Sequence, residues 1–215
     1  MIKRLVIPAL GLVLALLAPQ ASQAQFTFNV DLSLNSALNA NLNAPFYLDF
    51  QLNSGGALGN MATISNFTFT GGAPTGSTTL FGSGSASGSL LTSVTLSDAT
   101  GSIELFQQIT STTTDIKFQV TLTGNVNVVA DEFTAAILDN STFQVTTTAP
   151  DGISLITAPI DSTLALGEVG AYVTAGDSTA PGIVASRSAA VPEPSAIVSV
   201  FGGIALLIAR RRRVA

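Results

Sequence analysis

The side chains of this chain that could do chemistry are carboxylates, amides and hydroxyls, because it contains no His, no Cys and no Trp. Without His or Cys there is no Ser-His-Asp or Cys-His nucleophile system, no Cys/His zinc centre, no haem histidine and no thiol redox pair. Carboxylate pairs remain for general acid–base work, and Asp131-Glu132 with Asp115 or Asp139 form the available set. Neighbouring residues of a strand point to opposite faces, so Asp131 and Glu132 cannot serve one site, and solvated surface is the better reading of this set. With no Trp the usual sugar-stacking platform is missing, and Tyr47 and Tyr172 are poor substitutes. No catalytic residue is assigned, and the chain reads as non-enzymatic.

Hard cations need only oxygens, so calcium is more plausible here than catalysis. Asp98-Ala99-Thr100-Gly101-Ser102-Ile103-Glu104 and Asp139-Asn140-Ser141 offer such oxygens near turns, but neither has EF-hand or repeat spacing. Turn capping by Asp and Asn is the stronger reading, so no metal ligand and no cofactor is assigned. Asn66-Phe67-Thr68 and Asn140-Ser141-Thr142 match the N-glycosylation triplet. The run from Gly82 to Gly88 resembles a phosphate loop only in composition, and without a nearby Lys it reads as a flexible loop.

Charge is placed unevenly. Of the eight basic residues only Lys117 and Arg187 lie between residues 25 and 190, against twelve acids, a net of about −10. Affinity for nucleic acid comes mainly from Lys and Arg displacing counterions, so such a body is not expected to bind it.

The elements that must carry these residues are strands. Phe46, Leu48, Phe50 and Leu52 alternate with Tyr47, Asp49 and Gln51, and Ile116, Phe118, Val120 and Leu122 alternate with Lys117, Gln119, Thr121 and Thr123. Weaker matches run over 26–34, 64–69, 90–96, 133–138, 143–147 and 153–157. Between them lie turn residues such as Asn53-Ser54-Gly55-Gly56, Asp98-Ala99-Thr100-Gly101 and Pro150-Asp151-Gly152. The pattern predicts an all-β antiparallel sandwich or jelly roll over 25–166. Ile103, Phe106 and Ile109, at i, i+3 and i+6, leave 103–109 open between strand and short helix. Phe46, Phe50, Phe118, Phe133 and Phe143 are the expected core rings. From 167 to 190 the chain is rich in Ala, Gly, Ser and Thr and reads as a flexible tether.

The ends read as addresses. Residues 1–24 carry Lys3-Arg4, an apolar run from Leu5 to Ala18, and small residues at Ser22 and Ala24, the three parts of a secretory signal helix cleaved between Ala24 and Gln25. At the other end stand Pro192-Glu193-Pro194, the uncharged run 196–209, and Arg210, Arg211, Arg212 and Arg213. As a helix that run would be about 21 Å long, short of the ~30 Å hydrocarbon core, a deficit that snorkelling arginine and local thinning can absorb. The four arginines place this end in the cytoplasm and Pro-Glu-Pro outside.

Taken together, residues 191–215 resemble the PEP-CTERM sorting signal, the tag of exosortase substrates. The resemblance implies that an exosortase-type membrane protease removes the helix and passes the body to the cell surface or an exopolysaccharide matrix. A plain C-terminal anchor uses the same residues. The body is also similar to an uncharacterised family of PEP-CTERM proteins, through Tyr47-Leu48-Asp49-Phe50-Gln51-Leu52-Asn53, Ala62-Thr63-Ile64-Ser65-Asn66-Phe67 and the stretch from Asp115 to Gly124. This likeness touches about half of the domain and implies an all-β fold with no assigned activity. The expected function is that of an exported, non-enzymatic surface or matrix protein. Its expected partners are the secretory translocon, signal peptidase, the exosortase-type protease and exopolysaccharide. The alternative is a secreted carbohydrate-binding module or weak hydrolase acting on exopolysaccharide.

Overall fold

Period-two alternation becomes strand wherever one face can be buried, and this chain repeats the pattern from Ala24 to Ser186. The computed structural model describes residues 24–34, 45–56, 58–124, 131–139, 143–160, 169–173 and 182–186. Among them every helical or extended element is a strand: β1 (Ala24–Ser33), β2 (Phe46–Asn53), β3 (Met61–Thr70), β4 (Pro74–Gly82), β5 (Ser85–Gly88), β6 (Val94–Ser97), β7 (Ile103–Ile109), β8 (Asp115–Gly124), β9 (Asp131–Asp139), β10 (Phe143–Gln144), β11 (Ile156–Ile160), β12 (Gly170–Ala171) and β13 (Gly182–Ser186). They form two antiparallel sheets. One has six strands in the order β13-β1-β8-β3-β6-β5; the other has the order β12-β11-β9-β2-β7-β4, with β10 paired to β9.

The core is built from the inward face of each sheet. Phe26, Phe28, Val30, Ile116, Phe118, Val120 and Leu122 come from the first sheet, and Phe46, Leu48, Phe50, Leu52, Leu105 and Phe133 from the second, all buried in one cluster. Phe50 touches rings on both sides: it stands edge-on to Phe118 of the first sheet at 5.4 Å and stacks on Phe133 of its own at 6.1 Å. Phe28 of β1 reaches Phe133 at 6.5 Å, a second ring contact across the sheets. The polar face of the six-stranded sheet is rich in hydroxyls, with Thr27, Thr121, Thr63 and Thr95 in register across β1, β8, β3 and β6.

A bulge corrects the phase of β3. Ala62 and Ile64 face inward, whereas Phe67 and Phe69 stand an odd number of residues away and would face solvent on a regular strand. Between Ser65 and Thr68 the register with β8 shifts, and Asn66 takes φ 57°, a conformation that Asn tolerates better than most residues. Phe67 and Phe69 thereby pack against the core, Phe67 lying 5.9 Å from Phe118 and 6.1 Å from Phe50.

Several expectations need correction. Residues 103–109 are strand β7 throughout, not helix. The run from Gly82 to Gly88, read as a flexible loop, holds the last residue of β4, a two-residue bend at Ser83-Gly84 and the whole of β5. The stretch 167–190, read as a tether, contains β12 and β13, and the latter pairs with β1 from Thr27↔Ser186 to Asp31↔Gly182. Strands this short, or built largely of small residues, carry too little apolar alternation to be read from sequence. β1 begins at Ala24, so the expected cut before Gln25 would leave the rest of the strand intact. Phe46, Phe50, Phe118 and Phe133 are buried as expected; the ring of Phe143 lies outside the described residues. So do most of the signal segment, Pro192-Glu193-Pro194, the run 196–209 and Arg210 to Arg213. Among the described residues no helix is long and apolar enough to cross a membrane.

Phe50→Ala should cost ~3–5 kcal/mol in urea unfolding, since it removes the ring contacts of Phe50 with Phe118 and Phe67 across the sheets. Phe81→Ala, at a residue 56 % exposed, should stay within about 0.5 kcal/mol of wild type. Equal losses at the two positions would contradict this placing of the core.

Candidate functional site

Two groups of carboxylates stand out, and each combines residues remote in sequence. The first is a corner where the turn after β6 meets the segment 54–60 and the start of β9. Asp98 Oδ1 accepts hydrogen bonds from the backbone N–H of Gly59 and of Asn60, each at 2.7 Å, and Asp98 Oδ2 accepts from Asn60 Nδ2 at 3.1 Å. The same Asn60 amide donates to Asp131 Oδ2, while Gly55 N–H donates to Asp131 Oδ1. All three side chains are buried. Gly124, the last residue of β8, leaves the space that Asn60 needs: a Cβ there would stand 2.9 Å from Asn60 Oδ1. Burial pushes the Asp131 carboxyl above its usual range, and the adjacent Asp98 adds to this, against the opposing hydrogen bonds from Gly55 and Asn60. Every oxygen of the two carboxylates accepts a hydrogen bond, so the corner ties three stretches of chain together.

The second group lies on the outer face of the other sheet. Tyr47, Asp49 and Gln51 of β2 share this face with Glu104 and Phe106 of β7, and with Phe81 of β4. In register, Asp49 stands opposite Phe106, and Glu104 stands between Gln51 and Phe81. Rings form a diagonal line: Tyr47 is edge-on to Phe106 at 5.5 Å, and Phe106 stacks on Phe81 at 5.6 Å. Beside that line Asp49 is wholly buried. Its Oδ2 accepts from Gln51 Nε2 at 2.8 Å, whereas Oδ1 has no donor. Burial raises the Asp49 carboxyl to about 7, the Gln51 amide opposes the rise, and the Glu104 charge adds to it. Glu104 is itself raised by burial. The pair therefore suits one shared proton, with Asp49 as the acid and Glu104 as its acceptor.

The carboxylates singled out in the sequence are not brought together. Asp131 and Asp139 lie at opposite ends of β9, and Asp115 opens β8 in the other sheet. Glu132 is exposed on the face opposite Asp131, as alternation requires. Asp131 is not solvated surface: it is buried and accepts hydrogen bonds from Gly55 N–H and the Asn60 amide. Asp98 and Glu104, proposed as oxygens of one calcium loop, turn to different places, Asp98 to Gly59 and Asn60 and Glu104 to the outer face of β7. Among the described residues no group of three or more His, Cys, Asp or Glu side chains is placed to hold a metal ion. On the polar face of the six-stranded sheet Lys117 Nζ meets Asp31 Oδ2 at 2.6 Å, and this ion pair holds Asp31 below the usual carboxylate range. No family model, no curated protein sequence and no solved structure matches the chain.

Asp49 holds its proton more tightly folded than unfolded, which fixes the sign of a pH effect. The stability it contributes is complete below its ordinary value of 3.8 and is lost as pH rises through about 7. Between those limits unfolding free energy should fall with pH, with a slope of at most ~1.4 kcal/mol per unit from this group. Asp49→Asn should flatten that slope and be more stable than wild type at pH 8. Identical slopes in the two proteins, read from urea midpoints between pH 5 and 8, would contradict it.

Proposed function

We propose that the chain is an exported, non-enzymatic protein of the cell surface or extracellular matrix, with a β-sandwich or jelly-roll body sorted by an exosortase-type membrane protease. The observation that carries this reading is the order of the C-terminal residues: Pro192-Glu193-Pro194, then the apolar run 196–209, then Arg210 to Arg213. Two prolines in three residues resist helix formation, so Glu193 is held extended just outside the membrane where a protease can grip it. The run behind it serves as a transmembrane helix until it is removed, and the arginines stop transfer at the cytoplasmic face.

Residues 1–24 supply the matching export signal, read first by the translocon and then by signal peptidase between Ala24 and Gln25. The body suits life outside the cell. It has no cysteine to be oxidised, and a core of stacked phenyl rings supplies the cohesion that disulfides give many secreted domains. Its excess of acidic residues favours solubility.

Glu193→Ala leaves hydrophobicity and the positive-inside charge unchanged, so the variant should still insert and then accumulate uncleaved in the membrane. Maturation and release at the wild-type rate, followed by immunoblot of membrane and surface fractions, would remove the main support for exosortase sorting and favour a plain anchor.

A further inference from the structure

We propose that the outer face of β2, β7 and β4 binds a neutral glycan, with Phe81 stacking on a sugar ring and Glu104 accepting its hydroxyls. This inference concerns the body alone and stands apart from the reading of the tail.

The geometry supplies both halves of a sugar site. Phe81 is more than half exposed, yet its ring is held in place by stacking on Phe106, whose other side meets the edge of Tyr47. A phenyl fixed in this way on an edge strand loses little side-chain freedom when a ligand covers it, which lowers the cost of binding. Glu104 is the direct cross-strand neighbour of Phe81, so a carboxylate lies beside the exposed ring. On the same face lies the buried Asp49, one of whose oxygens has no donor.

The chemistry of the face selects the ligand. It is rich in acceptors and has no cation, because Lys117, the one base among the described residues, stands on the other sheet paired with Asp31. A ligand must therefore bring hydrogen-bond donors. The acidic body repels polyanions such as nucleic acid or uronate-rich chains. An inorganic cation would satisfy the carboxylates but leave the row of rings unexplained. A neutral pyranose chain has an apolar C–H face for the exposed Phe81 ring and hydroxyl donors along its edge, and so matches both features.

The test is isothermal titration of the full chain, purified in detergent micelles, with cellohexaose, laminarihexaose and mannohexaose. Tyrosine fluorescence gives a second readout, since Tyr47 and Tyr172 are the only tyrosines and no tryptophan masks them. At least one of the sugars should bind, and Phe81→Ala should weaken that binding about tenfold, the loss of one stacked ring. Glu104→Gln should weaken it by a similar factor, while Leu91→Ala, at an exposed residue elsewhere, leaves it unchanged. Three outcomes would overturn the proposal: no binding of any of the three sugars, equal binding by wild type, Phe81→Ala and Glu104→Gln, or a Glu104-dependent calcium isotherm without sugar binding. Failure of sorting in Glu193→Ala has no bearing on these isotherms, so the two readings fall separately.

Discussion

The contact of Phe50 with Phe118, edge to face at 5.4 Å, joins two sheets that no disulfide ties together. Phe28 with Phe133 and Phe67 with both Phe50 and Phe118 extend it into a ring cluster fed by β1, β2, β3, β8 and β9. Each of these strands brings its phenylalanine inward by the two-residue period, and β3 does so only because its bulge resets the phase at Asn66. The rest of the molecule hangs on this seam. β4, β5, β12 and β13 are added at or near the edges through ladder hydrogen bonds, and β4 and β5 leave most of their residues half-buried or exposed.

Burial of carboxylates is the second constraint. Asp98 and Asp131 lie side by side in an interior corner, where Asn60 bridges them and backbone N–H groups cap their remaining oxygens. Removing one partner there would orphan buried polar groups, which costs more than the bond itself is worth. Asp49 is different, because one of its oxygens lacks a donor and its neighbour is another carboxyl. A polar group left unsatisfied on the face of a rigid sheet, beside exposed aromatic surface, is a feature that function explains better than stability does.

How much of this was legible depended on position in the sheet. The strands β2 and β8 were plain because each alternates strictly between core and solvent. β7 was disguised: it puts Gln107 on the core face and Phe106 on the outer face, so its apolar residues fall at helical spacing. Gln107 is tolerated inside because its amide accepts from Leu90 N–H and donates to the Gly76 carbonyl. The candidate site was hidden for a related reason. Asp49 occupies a polar position of β2 and reads as solvent-facing, and what buries and flanks it, Phe106 and Ala136, comes from strands 57 and 87 residues later in the chain. The proposed export and sorting signals, by contrast, rest on composition and order alone and need no tertiary context to be read.

If the phenyl seam couples the sheets, they must open together. Native-state hydrogen exchange on the full chain tests this directly, comparing the Val120 amide of β8 with the Leu48 amide of β2 under rising denaturant. The account predicts one common opening free energy, equal to that of global unfolding and unchanged by reducing agent. If either sheet opened well before the other, the two would be separate units, and the seam between Phe50 and Phe118 would not be what holds the protein together.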